Sequence, residues 1–274
     1  MIDDDLPAWS APFHGGGPGD APSLGPDLPM SASWAYGDRS GRGVRVAVLD
    51  SGVDGSHPLV AGVAEYVAVV LDDTAADGVR FETGDHEDLY GHGTACAAVI
   101  RGLAPDVELV SVRVLGDNLK GSARAFAHGL RWCLDHDVTV ASLSLSTTNV
   151  RHAEMFYELV DAAAFRGMLL VSAMSNERKR TIPSEFAGVF SVACGPGTDR
   201  ERFWYNPAAP AEWGAPGIDV EVAWNGHTTI IGTGNSFAAP VIAGHLARIK
   251  SAHPALTPWQ TRTVLAALAV NAPT

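Results

Sequence analysis

Apolar residues follow two alternating patterns from residue 31 onward. Short runs rich in β-branched residues predict buried strands at Val44–Leu49, Glu108–Val114, Val138–Leu143, Met168–Ala173 and Val189–Ala193. Stretches with helical character lie between and after them, around Thr94–Arg101, Ser122–His136, Ala153–Arg166, Ser236–Ala252 and Thr257–Val270. The last stretch begins with Thr-Pro, a pair that suits a helix N-terminus. This alternation predicts an α/β fold with a mostly parallel central sheet flanked by helices.

The first thirty residues differ from the rest of the chain. They are rich in proline and glycine and have no apolar periodicity, so we predict a flexible leader over residues 1–30. No linker or repeat divides the remainder of the chain, which predicts one domain over residues 31–274. The acidic start MIDDDLPAWS lacks the basic and apolar regions of a secretory signal. We therefore expect a cytoplasmic protein, or a secreted one if the native N-terminus is missing.

Composition and charge narrow the functional classes. Hydrophobic residues make up 46% of the 274 residues and charged residues 18%, which is typical of a globular protein. The formal net charge of −12 argues against binding to the phosphates of nucleic acid. No apolar run approaches the roughly 20 residues of a membrane-spanning helix. The three cysteines cannot all pair within one chain, and we expect them to be reduced thiols.

Three segments carry the residue types of nucleophilic hydrolysis. Asp50 directly follows a predicted strand, His92 lies between two glycines at a helix start, and Ser236 begins another helix. A serine hydroxyl that attacks a peptide bond needs an imidazole to take its proton and a carboxylate to orient that imidazole. Taken singly, however, such residues are more often a turn former, a tight turn and a helix cap. The residues alone do not show that the three meet in space.

Taken together, the three segments resemble those of the subtilisin-like serine proteases, or subtilases. The resemblance is carried by VAVLDSGVDGSHP, LYGHGTACAAVI and GTGNSFAAPVIAGHLARI, in the family order of aspartate, histidine and serine. It extends over about residues 31–270 and implies the three-layer subtilisin-like fold. By this resemblance, Asp50 is the orienting carboxylate, His92 the general base and Ser236 the nucleophile.

The same resemblance implies further site residues. In VSAMSNE it makes Asn176 the side-chain donor of the oxyanion hole, and the Ser236 backbone N–H the second donor. Two segments are expected to form the substrate cleft, with residues Ser144, Leu145 and Ser146 along the peptide backbone and Ala173, Met174 and Ser175 as the opposite wall. Ordinary strand packing is the alternative for these six residues.

The sequence also departs from the family pattern in two places near the cleft. Ser146 and Ser175 stand where family members often have glycine, so we expect a narrower cleft that favours small or medium side chains before the cut. Asn235 replaces the familiar threonine before the serine, an exchange whose effect on the oxyanion has no predicted direction.

We expect neither a cofactor nor a metal. The segment AAVIRGLAP is too short to supply the six to eight oxygen ligands of the calcium loop found in many subtilases. The histidines have no HExxH-type spacing of a catalytic zinc site. Cys96 lies one helical turn after His92 and is expected near the imidazole, as a small buried apolar residue rather than a catalytic one.

The function predicted from these residues is that of a serine endopeptidase acting through an acyl-enzyme on peptide or protein substrates. Lack of an export signal suggests processing of intracellular precursor peptides. A peptide ligase or macrocyclase would use the same residues, and an inactive peptide-binding scaffold is a third interpretation. The sequence predicts neither the natural substrate nor the oligomeric state.

Overall fold

The computed structural model describes residues 30–208 and 210–272, so all of the predicted leader except Met30 lies outside the described residues. The α-helices are α1 (Ala32–Tyr36), α2 (His92–Leu103), α3 (Ala123–Asp135), α4 (Ala153–Phe165), α5 (Asn235–Ala252) and α6 (Pro258–Leu268). The strands are β1 (Arg45–Asp50), β2 (Glu65–Leu71), β3 (Val79–Thr83), β4 (Glu108–Arg113), β5 (Val140–Leu143), β6 (Leu169–Ala173), β7 (Val189–Gly195), β8 (Trp204–Tyr205), β9 (Trp213–Pro216), β10 (Val220–Trp224) and β11 (Thr228–Gly232).

The described residues form one large sheet with strand order β3-β2-β4-β1-β5-β6-β7-β9-β8. Its seven inner strands run parallel, and the two edge strands β3 and β8 pair antiparallel with their neighbours. Strands β10 and β11 form a separate antiparallel hairpin. Because parallel strands need crossover connections, helices cover the sheet and the strand runs are buried on both faces.

Helices lie on both faces of the sheet and make two apolar layers. One layer packs α2, α5 and α6 against the sheet, and the other packs α3 and α4 against the opposite face. Helix α5 is buried along most of its length, from Phe237 to Lys250, which explains why its sequence shows little polar periodicity. The three layers hold the beginnings of α2 and α5 in fixed positions relative to the sheet.

The five predicted strands and five predicted helices are present, and each observed bound lies within two residues of the predicted one. The predicted mostly parallel α/β architecture is therefore correct. Strands β2 and β3 and strands β8 to β11 were not predicted. Strand β3 is exposed at four of its five residues, and β8 has only two residues, so neither carries the buried apolar run that marks an inner strand.

None of the helices in the described part of the chain is long and apolar enough to cross a bilayer.

Candidate active site

The predicted site residues gather at the carboxyl edge of the parallel sheet. Strand β1 ends at Asp50, Ser144 follows β5, and Asn176 lies three residues beyond β6. The first turns of α2 and α5 bring His92 and Ser236 to the same edge. Functional groups in open parallel sheets collect at this edge because the strand-to-helix connections all emerge there.

Asp50, His92 and Ser236 form a continuous hydrogen-bonded chain. The carboxylate Oδ2 of Asp50 lies 2.8 Å from Nδ1 of His92, and Oδ1 lies 3.0 Å from the same nitrogen. On the other side of the ring, Nε2 of His92 lies 2.9 Å from Oγ of Ser236. Asp50 is fully buried and His92 is 7% exposed, so water does not compete for the first of these contacts. The geometry suits proton transfer from the serine hydroxyl to the imidazole.

Close approach of the α2 backbone to the end of β1 explains one of the two glycines that flank His92. A Cβ atom at Gly93 would lie 1.9 Å from the carbonyl oxygen of Gly52 and 3.0 Å from Cβ of Asp50. No side chain fits in that space, so glycine is required for α2 to start this near to Asp50.

Asp88 fixes the start of α2 and is a site residue that sequence reasoning missed. Its Oδ2 accepts hydrogen bonds from the backbone N–H and the hydroxyl of Thr94 at 2.8 and 2.6 Å. Its Oδ1 accepts from the Gly91 N–H at 2.8 Å and from the Ser51 hydroxyl at 2.7 Å. A buried carboxylate at a helix N-terminus stabilises the unpaired N–H groups there. In the sequence Asp88 is one of several acidic residues in a polar stretch, and spacing alone does not separate it from solvated neighbours.

The buried carboxylate of Asp50 controls the protonation of His92. Burial is the largest single influence and disfavours the imidazolium, but the charge of the adjacent Asp50 carboxylate and its hydrogen bond to the ring favour it, and the pKa of His92 lies well above its ordinary value of 6.5. The nearby Cys96 thiol adds no charge at neutral pH, because burial raises its pKa as well. A general base must be neutral to accept a proton, so the base form of His92 is reached only as pH rises through this raised value.

We expect the Asp50→Asn substitution to change both the rate and the pH dependence of cleavage. Loss of the carboxylate leaves His92 without the charge that raises its pKa, so the acidic limb of the kcat/KM profile shifts to lower pH. The same change costs about 10⁴-fold in kcat, because an amide in this place can donate to Nδ1 and hold the imidazole in the wrong tautomer. Profiles of kcat/KM against pH for both proteins measure the shift. An acidic limb that stays in place in D50N would show that Asp50 does not govern the protonation of His92.

Cys96 lies close to the imidazole, as its position in the sequence predicts. Its Sγ is 4.0 Å from Nδ1 of His92 and 3.2 Å from Oγ of Ser144, and the side chain is completely buried. Burial and the raised pKa make it a neutral thiol, which is a poor nucleophile. Among the described residues, the only group of three side chains spaced to hold a metal ion is Asp50, His92 and Cys96, which is part of this same centre.

Asn176 faces the nucleophile across Gly234. Its Oδ1 accepts a hydrogen bond from the backbone N–H of Asn235 at 2.8 Å, which fixes the orientation of the amide. A methyl group placed on Gly234 would contact both Oγ of Ser236 at 3.4 Å and Nδ2 of Asn176 at 3.5 Å. The amide donor and the hydroxyl therefore border the same small space. The Ser236 N–H lies in the first turn of α5, where N–H groups have no intrahelical acceptor.

A cavity of about 540 Å³ opens beside this centre. His92, Ser236 and Asn176 line it. All six predicted cleft residues line it as well: Ser144, Leu145, Ser146, Ala173, Met174 and Ser175. Leu119 to Ala123 and Phe126 line it as well, and these were not predicted. They belong to the loop before α3 and to the first turn of that helix, and nothing in their local pattern distinguishes a cleft wall from an ordinary loop and helix start.

Known proteins share the sequence pattern and the fold. A profile described as the subtilase family matches residues 41–273 of the chain. The chain is 30% identical over 236 residues to a thermostable alkaline protease of Halalkalibacterium halodurans, covering 81% of this chain and 61% of the relative. It is also 30% identical over 239 residues to Subtilisin Savinase of Lederbergia lenta, covering 82% and 83% of the two chains. The fold and the sequence pattern define a subtilisin-like scaffold, and the chain belongs to the subtilase family.

Solved structures show the same architecture. A cold adapted subtilisin-like serine proteinase superposes with a TM-score of 0.64 at 24% identity, covering 82% of this chain and 81% of the other. Sphericase superposes with a TM-score of 0.67 at 23% identity, covering 82% of each chain. The predicted three-layer subtilisin-like fold is confirmed.

Proposed function

We propose that this protein is a serine endopeptidase that hydrolyses peptide bonds through an acyl-enzyme. The observation that carries the proposal is the unbroken contact from Asp50 through His92 to the Ser236 hydroxyl, at 2.8 and 2.9 Å. Membership in the subtilase family, and relatives named as proteases, support the same chemistry.

Each of these residues has a defined role in the proposed reaction. Ser236 attacks the carbonyl carbon of the substrate while Nε2 of His92 takes the hydroxyl proton. The carbonyl oxygen becomes negative and is held by Nδ2 of Asn176 and the Ser236 N–H. His92 then gives its proton to the leaving amine, and the acyl group remains on Ser236. Water, deprotonated by the same imidazole, releases the acyl group and restores the hydroxyl.

The cleft next to Ser236 supports peptide substrates. It lies beside the carboxyl ends of β5 and β6, so an extended peptide can add main-chain hydrogen bonds along the segment after β5. We further propose that the substrates are precursor peptides inside the cell, from which the enzyme removes a segment. This part rests on the general harm of unrestricted proteolysis in a cell.

A mixture of synthetic peptides analysed by mass spectrometry tests the reaction class. Hydrolysis gives two fragments whose masses sum to that of the substrate plus one water. A cyclic or ligated product, formed without gain of water, would instead assign the scaffold to peptide ligation. Intact peptides after long incubation with folded protein would support the inactive scaffold and contradict the proposal.

We expect the cleft to prefer small or medium side chains immediately before the cut. Ser146 and Ser175 both line the cavity, at positions where glycine would leave more room. Profiling of a peptide library measures the preference, and the double variant Ser146→Gly with Ser175→Gly should shift it toward larger side chains. A strong preference of the unaltered protein for large aromatic residues would contradict this prediction.

A further inference from the structure

The side chain of Asn235 makes an unusual set of contacts immediately before the nucleophile. Its Oδ1 accepts a hydrogen bond from the backbone N–H of Cys194 at 2.8 Å. Its Nδ2 donates to the carbonyl oxygens of Ser175 at 3.0 Å and Met174 at 3.2 Å. Both N–H bonds of the amide and its oxygen are therefore used within the protein. The side chain turns away from the space between Asn176 and Ser236 and has no donor left for a substrate oxygen.

These contacts join three pieces of the fold. Cys194 lies near the end of β7, Met174 and Ser175 form the connection after β6, and Asn235 is the first residue of α5. Inside the sheet, hydrogen bonds to the neighbouring strands hold the backbone of β6. After Ala173, the sheet pairing continues for one more bond, from the Met174 N–H to the carbonyl oxygen of Val192 at 2.8 Å. The Asn235 side chain supplies the next two hydrogen bonds along this segment, to the carbonyl oxygens of Met174 and Ser175, the two residues before Asn176.

The backbone of Asn235 completes the connection. Its N–H donates to Oδ1 of Asn176 at 2.8 Å, so one residue holds both the segment that carries Asn176 and the amide of Asn176 itself. Asn176 and the four residues after it are exposed, and packing does little to restrain this stretch. The position of the oxyanion donor therefore depends on Asn235 more than on burial.

We propose that Asn235 is a positioning residue that holds Asn176 in place for the tetrahedral oxyanion. The inference rests on the proposed function, because an oxyanion forms only if Ser236 attacks a carbonyl. Preorganised donors stabilise the transition state because they need no rearrangement as charge develops, and a small displacement of such a group costs up to about 100-fold in rate. Asn235 acts on the rate through Asn176, without contact to the substrate.

The substitution series at position 235 follows from the number of bonds that each side chain can make. Alanine removes all three, and aspartate keeps an acceptor for Cys194 but turns a carboxylate oxygen toward two carbonyls. Threonine has a single hydroxyl on a shorter side chain, which can donate one bond and accept another, so it can replace at most part of this set. We expect kcat to fall about 10- to 100-fold in N235A and N235D and less in N235T, with KM changed by less than about threefold.

A double-mutant cycle with Asn176→Ala separates positioning from general stabilisation. If Asn235 acts through Asn176, Asn235→Ala lowers kcat in the unaltered protein but has little further effect in the N176A background. An equal fold-loss in both backgrounds, or a loss confined to KM, would overturn the inference. So would a kcat within about twofold of the unaltered protein.

Asn206 provides a matched control. Its Nδ2 also donates to two backbone carbonyls, those of Ala208 and Ala211 at 2.6 and 2.8 Å, in a loop outside the cleft. Asn206→Ala should leave kcat unchanged, and thermal unfolding of every variant identifies any that is not folded. If N235A does not fold, N235T in the same cycle decides the question. Absence of cleavage by the unaltered protein would instead remove the proposed function, and this inference with it.

Discussion

Replacement of Ser236 by alanine is expected to abolish peptide cleavage almost completely. The hydroxyl 2.9 Å from Nε2 of His92 is the only atom placed to form the acyl-enzyme among the described residues of the site, since the neighbouring Cys96 thiol is buried and neutral. Loss of the serine or the histidine of such a triad lowers kcat by about 10⁶-fold. A residual rate remains above that of the uncatalysed reaction in water, because substrate binding and the oxyanion donors still act.

The measurement is the kcat of S236A and H92A on a peptide that the unaltered protein cleaves, with Ser251→Ala as control. Ser251 lies near the end of the same helix and donates to the carbonyl of Arg42 at 2.8 Å, away from the cleft. S251A should retain full activity. Cleavage by folded S236A at more than a few percent of the normal rate would contradict the assignment of Ser236 as nucleophile.

The second large effect is expected at Asn176. Replacement by alanine removes a donor that borders the space next to the Ser236 hydroxyl, and loss of one oxyanion donor costs about 10²- to 10³-fold in kcat. The donor matters only when the carbonyl oxygen becomes negative, so KM should change little. Asn176 is exposed, so the substitution leaves no cavity in the core and should not unfold the protein.

The isosteric variant Asn176→Asp distinguishes hydrogen bonding from shape. An aspartate keeps the size of the side chain but presents an oxygen where Nδ2 stood, so N176D should be at least as slow as N176A. Steady-state kinetics on one peptide measures both variants. A loss that appears in KM with kcat unchanged would mean that Asn176 binds the ground state and does not stabilise the oxyanion.

The sequence predicts the inner part of this fold well because its signal is strong there. Strands such as β1 and β6 are buried on both faces, so the apolar, β-branched runs in the sequence coincide with the observed elements. Edge strand β3 is mostly exposed, and the hairpin of β10 and β11 lies outside the main sheet, so tertiary position rather than local pattern decides their structure.

The sequence likewise predicts some residues of the site and misses others. Asp50, His92 and Ser236 lie in segments specific enough to name from the sequence, and the structure brings them within hydrogen-bonding distance. Asn235 acts through contacts with residues distant in the chain, and Asp88 joins the first turn of α2 to the distant Ser51, so local spacing does not reveal these roles. The sequence shows that position 235 departs from the family pattern, but only the structure shows the direction in which its side chain points.

Covalent labelling with a fluorophosphonate tests the central claim most directly, because such a reagent reacts with a serine that an imidazole activates. Mass spectrometry of proteolytic fragments locates the adduct. The account predicts one adduct per chain, on Ser236, with no labelling in S236A and strongly slowed labelling in H92A. A folded protein that takes up no label, or takes it up at another residue while Ser236 stays free, would contradict it.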